Sequence, residues 1–325
     1  MEEILRLFPQ PVKDKIKGHV GNRWRYLQEI RIRLYQPIEF IFDQQIEWLK
    51  EIIPNDEMCM FMINQLSEYS LYRMEDELRE GYITIMGGHR VGLAGKVNTY
   101  DGNVKAIQHI TFFNIRIAKE KRDLAIPIIP YLYHKEYFNT LLIGPPLSGK
   151  TTLLRDLARL IASGWQKIEP RKVCVIDERS EIAASIKGIP QHDLGLRTDV
   201  MDACPKAEGM MMMIRSMSPD ILIVDEIGSK ADVQAVLEAI NAGVNIICTI
   251  HGNSLAEIKK RPSLQPIITQ NIFKRYLVMT KQPNPGTVHA IYDQNEINVL
   301  KKSRCLHNEV DWSTSFHRND NMARI

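Results

Sequence analysis

Residues 144–151 read GPPLSGKT, the first of them closing the apolar run LLIG and the last opening TTLLRDLARLIASG. GxxxxGK[ST] between a strand and a helix is the pattern of a phosphate-binding loop. Its glycines let backbone N–H groups wrap a phosphate, and the helix N-terminus adds partial positive charge. Gly144, Pro145, Pro146, Leu147, Ser148, Gly149, Lys150, Thr151 and Thr152 are therefore expected to cradle the phosphates of a purine nucleotide, ATP. Lys150 reaches the β and γ phosphates and Thr151 ligates Mg2+.

Outward from the loop, the texture is that of an α/β fold. VCVID, ILIVDE and NIICTI are short, continuously apolar runs separated by helix-length segments. Such runs belong in parallel strands covered on both faces. Ligands of open α/β sheets bind beyond the carboxyl ends of the strands, so the polar residues ending each run are the candidates for chemistry. Asp225, closing ILIVD, is expected on the metal side. Hydrolysis also needs a carboxylate to orient water: Glu178, after VCVID, is the first choice and Glu226 the second, although DERSEI also reads as a capped helix start. His251, after NIICTI, is placed to sense the γ phosphate. Arg116, Arg197 and Arg215 are candidate charge neutralisers. Met210 to Met213 read as core filling.

The chain has 325 residues, 44% apolar and 25% charged, enough for more than one core. Residues 1–125 read as a smaller α+β unit, with an acidic amphipathic stretch over 66–80, a hairpin over 91–110 turning at Asp101 to Asn103, and a further strand over 113–117. Residues 126–300 form the α/β core, and 301–325 a polar tail. A formal net charge of +3 gives no field that marks out nucleic acid as partner. Cys59, Cys174, Cys204, Cys248 and Cys305 lack the paired spacing that holds zinc and fit a reducing compartment. The N-terminus has no export signal, and no apolar run is long enough to span a membrane.

Four elements in order, GPPLSGKT, DERSEI, IRSMSPDILIVDEIG and CTIHGNS, resemble the Walker A, Asp box, Walker B and His box of the type II and type IV secretion ATPases. Within that group the likeness is to a sporulation branch of endospore-forming bacteria. It covers 112–279 well and the first hundred residues more loosely, through GGHRVGLAGK and FNIRIA. The resemblance implies a RecA-like P-loop core behind an N-terminal domain, ATP held between them, and a hexameric AAA-type ring in the cytoplasm. Asp177 and Glu178 match the Asp box, Asp225 and Glu226 Walker B, and Thr249 and His251 the His box, with Arg116 and Arg197 as the nucleotide-side arginines. It further implies a motor recruited to membrane-embedded channel proteins between mother cell and forespore.

The tetracysteine motif of some relatives is missing, and the core is short. Relatives with a nucleic-acid-binding domain carry an arginine and a histidine separated by three residues, whereas Arg304 and His307 have two between them and stand one position too close. The competing readings are a nucleic-acid motor and a nucleotide-gated switch with little turnover.

Overall fold

The computed structural model describes residues 1–43, 45–67, 81–100, 103–119 and 121–300. In its first part, β1 (Leu27–Arg33), β2 (Ile38–Phe42), β3 (Ile46–Leu49), β4 (Tyr82–Ile85), β5 (His89–Tyr100) and β6 (Asn103–Arg116) form an antiparallel sheet in the order β3-β2-β1-β6-β5-β4. Helices α1 (Glu2–Leu5), α2 (Gln10–Val20) and α3 (Asp56–Leu66) accompany it. Ile16 and Val20 of α2 and Met58 and Met62 of α3 share one core with Ile30, Ile32, Phe40, Phe113 and Ile115 of the strands. Alternation along β1 and the end of β6 sends one face to that core and leaves Arg31, Phe112, Asn114 and Arg116 on the other.

One sequence expectation is corrected here. The hairpin's second strand and the strand over 113–117 are a single strand, β6, paired with β5 along its length from Asn103 to Arg116. Three register shifts let the long ribbon bend, and at the first of them Gly95 is obligatory, since a Cβ there would lie 1.7 Å from the His109 carbonyl oxygen. Asp101, Gly102, the stretch 68–80 and the polar tail 301–325 lie outside the described residues.

A small ribbon, β7 (Tyr133–His134) and β8 (Glu136–Tyr137), precedes the second sheet, which has the order β11-β10-β12-β13-β9-β14-β15. Its strands are β9 (Thr140–Gly144), β10 (Val173–Asp177), β11 (Thr198–Asp202), β12 (Ile221–Val224), β13 (Asn245–His251), β14 (Arg275–Thr280) and β15 (Thr287–Asp293). All neighbours run parallel except β14 with β15. The α/β architecture expected from the apolar runs is the one observed.

Continuous burial of these runs has a simple cause: alternate residues feed two cores. Leu141, Ile143, Cys174, Ile176, Leu222 and Val224 pack with residues of α5 (Lys206–Met217) and α6 (Lys230–Asn241). Leu142, Val173, Val175, Ile221 and Ile223 pack on the other face with Leu153, Leu154, Leu157 and Ile161 of α4 (Lys150–Ser163). Met210 and Met213 are buried in the first of these cores, as core filling requires, while Met212 is exposed. Parallel strands put the carboxyl ends of β9, β10, β12 and β13 at one edge, which fixes where the site can be. Among the described residues no helix is long and apolar enough to cross a membrane.

Candidate functional site

The loop from β9 to α4 has the geometry its glycines predict. Gly149 sits in the left-handed region at φ 87°, and a Cβ there would meet the Gly286 nitrogen at 2.7 Å. The Ser148 hydroxyl is buried without a hydrogen-bond partner among the described residues, whereas Leu147 is 83% exposed at the loop's tip. The Lys150 ammonium donates to the carbonyls of Gly144 (2.9 Å) and Pro145 (3.1 Å) and to His251 Nδ1 (3.0 Å). Burial pushes the pKa of Lys150 down, opposed by the nearby Asp225 and Glu226 carboxylates. An anion beside this amine would restore the stability of its charge.

Thr151 and Asp225, the two residues expected on the metal side, lie in contact. Thr151 Oγ1 donates to Asp225 Oδ2 at 2.7 Å. Thr249, fully buried on β13, donates to the other Asp225 oxygen and accepts the Glu226 N–H at 2.8 Å. One hydroxyl thereby fixes both acids. Glu226 is held at φ 58°, a conformation costly for a residue with a Cβ. Its carboxylate lies 2.9 Å from His251 Nε2 and 3.1 Å from Arg179 Nη1. Since Nδ1 of that ring accepts from Lys150, Nε2 carries the proton and faces the carboxylate. Lys150, His251 and Glu226 thus form one chain.

Glu178, the first choice for orienting water, is instead ion-paired with Lys206. DERSEI is not a helix start, because the side chain of Asp177 captures the backbone that would have begun one. The Asp177 carboxylate accepts from the amides of Glu181 (2.8 Å), Ile182 (2.9 Å) and Ala183 (2.8 Å), curling residues 178–183 into a loop. Desolvation outweighs these bonds and, with Asp202 adding its own charge, raises the pKa of Asp177 to about 6.

Arg197 lies at the opposite end of the strands. Its carbonyl pairs with the Val173 amide at the start of β10, and its guanidinium donates to the Pro170 carbonyl at 2.7 Å. It makes no contact with this chain's own cradle among the described residues. Arg215 is exposed in the last turn of α5. Arg116 is exposed at the end of β6, directly opposite Arg90 on β5. Arg90 was not among the sequence candidates. It donates to the carbonyls of Arg179 (3.3 Å) and Ser180 (3.1 Å), joining the first sheet to the loop after β10. The only hint in the sequence was GGHRVGLAGK, where no spacing distinguishes that arginine from its neighbours.

The donor set suits a magnesium nucleotide. Thr151 and Asp225 offer the hard oxygens that Mg2+ prefers, and the unpartnered Ser148 hydroxyl and the Lys150 ammonium offer donors to phosphate.

The family described as sporulation stage III, protein AA matches residues 1–299. Stage III sporulation protein AA of Bacillus subtilis (strain 168) is 49% identical over 303 residues, covering 93% of this chain and 98% of that protein. Among solved structures, the pilus retraction motor PilT with bound ADP aligns at TM-score 0.57 and 16% identity, over 86% of this chain and 80% of that one. The ATPase DotB of Legionella pneumophila aligns at TM-score 0.56 and 16% identity, over 83% and 76%. At such identities the likeness is one of fold.

Proposed function

The chain belongs to the sporulation stage III protein AA family, and from that premise we propose that it is a magnesium-dependent ATPase whose hydrolysis moves an N-terminal domain against a P-loop core. The observation that carries this reading is the convergence of Lys150, Thr151, Asp225, Glu226 and His251 on one strand edge behind a glycine-lined loop.

In this reading, the amides of 147–151 and the Ser148 hydroxyl hold the phosphates, and Lys150 exchanges its carbonyl contacts for the outer phosphate oxygens. Thr151 and Asp225 hold Mg2+, which when bound would neutralise charge on the β and γ phosphates. Glu226 orients the attacking water. Its position supports this better than that of Glu178, since Glu226 joins the Lys150–His251 chain while Glu178 is engaged by Lys206. His251 links the phosphate-side amine to that acid, so loss of the γ phosphate is felt at Glu226. Thr249 is a positioning residue for both acids.

Residues 1–125 and 126–300 act as the two bodies, with Arg90 and Arg116 bringing positive charge from the first sheet toward the 178–183 loop. Arg197, remote from its own cradle, serves the neighbouring subunit in a homo-oligomeric ring, taken as a hexamer. The resemblance of its four motifs to the secretion ATPases supports a motor acting from the cytoplasm on membrane-embedded channel proteins of a sporulation secretion complex.

Phosphate release from Mg-ATP tests the reading. Wild type should turn over, Lys150→Ala should lose both binding and release, and Glu226→Gln should bind ATP but fail to release phosphate. Tight ATP binding with no release by assembled wild-type protein would favour a switch over a motor.

A further inference from the structure

The β14–β15 turn, residues 281–286, reads KQPNPG and carries no role in the site described so far. It is fastened to the phosphate loop, because the Gly286 amide donates to the Ser148 carbonyl at 2.8 Å. The fit leaves no slack, as the missing Cβ of Gly149 would lie 2.7 Å from the Gly286 nitrogen and 3.3 Å from the Pro285 carbonyl carbon. The turn is itself braced: the Asn284 carbonyl accepts from the Thr287 hydroxyl at 2.7 Å and from the Thr287 amide at 3.2 Å. Gln282, Pro283, Asn284 and Pro285 are exposed.

The direction of a nucleotide in this cradle follows from the strand order. β9 has β13 on one side and β14 on the other. Asp225, Glu226 and His251 all come from the β12–β13 side, so the outer phosphates and the water belong on that flank. An extended triphosphate held there must send its nucleoside out over the opposite flank, which is the side of β14 and its turn.

Resting on the ATP-binding reading above, we propose that the 281–286 turn is the nucleoside wall of the site and that Asn284 reads the edge of the purine. Pro283 and Pro285 offer flat apolar ring faces to the base. The Asn284 carboxamide presents a donor beside an acceptor, the pattern that complements the N6 amine and N7 of adenine. Guanine shows two acceptors on the same edge and satisfies only half of it. The turn therefore selects adenine nucleotides, while the cradle itself is indifferent to the base.

The test is competition against a fluorescent ATP analogue by ATP, GTP and inorganic tripolyphosphate, on the full chain. Wild type should prefer ATP to GTP and to tripolyphosphate. Asn284→Ala should weaken ATP by about tenfold, the worth of one or two hydrogen bonds, and erase the preference over GTP while leaving tripolyphosphate unchanged. A Pro283→Gly, Pro285→Gly double variant should narrow the gap between ATP and tripolyphosphate. If wild type binds ATP well and none of these ratios moves in either variant, the nucleoside wall is elsewhere and the inference falls while the cradle stands. If wild type binds neither ATP nor tripolyphosphate, the ATP-binding reading itself fails.

Discussion

The Lys150 ammonium donates to His251 Nδ1 at 3.0 Å, and through that ring the loop over 144–151 is connected to Glu226. A histidine so placed has a defined tautomer and two different neighbours, a cation and a carboxylate. Removing it should disturb communication more than attachment.

His251→Ala is accordingly expected to lower kcat by about a hundredfold, within the usual range for a lost proton-handling group, with little change in ATP affinity. Single-turnover rates alongside equilibrium binding check this. A loss confined to affinity would assign His251 to holding phosphate rather than to linking Lys150 with Glu226.

Thr249→Val keeps the shape of a fully buried side chain and removes its hydroxyl. Asp225 and the strained Glu226 amide then lose a shared partner. The fold should lose about 1–3 kcal/mol, the cost of leaving buried polar groups unpaired, and turnover should fall with it. Denaturant midpoints and phosphate release together measure this, and a variant as stable as wild type would show that the hydroxyl does not hold the two acids.

Asp177 gives a pH signature. Its folded pKa of about 6 lies above the ordinary value of 3.8, so the folded state keeps a proton that the unfolded state gives up. The stability this group contributes is complete below the ordinary value and is lost as pH rises through about 6, by at most about 3 kcal/mol. Asp177→Asn should therefore flatten the decline in stability between about pH 4 and 6, read as the change in urea midpoint relative to wild type. Parallel profiles would mean that Asp177 stays ionised across that window.

Arg90→Ala should loosen the join between the first sheet and the loop that Asp177 shapes. Faster hydrogen exchange over residues 178–183, with protection of β9, β12 and β13 unchanged, is the expected result. Unchanged exchange in that loop would show that the Arg90 contacts to the Arg179 and Ser180 carbonyls do not restrain it.

The conformation of the loop over 144–151 and the parallel strands were legible in sequence because their causes are local. Glycine allows the Gly149 conformation, and uninterrupted apolar runs need cover on both faces. Asp225, Glu226 and His251 were legible as strand-end residues for the same reason. Other features depended on neighbours distant in sequence. Nothing in DERSEI says that Lys206, 28 residues on, will occupy Glu178, or that the Asp177 side chain will capture three amides and prevent a helix. The contact of Arg90 spans about ninety residues, and the distance of Arg197 from its own cradle follows from where β11 joins the sheet. β6 looked like two strands because bulges break its period-two pattern while its pairing with β5 continues.

The central claim is that residues 144–151 hold a triphosphate by their backbone, with Lys150 neutralising its outer end. Calorimetric titration of wild type and Lys150→Ala with a nonhydrolysable ATP analogue and Mg2+ tests it most directly. The account predicts one saturable site per chain in wild type and at least about a tenfold loss of affinity in the variant. Equal affinity in the two proteins, or no heat of binding in wild type, would contradict it.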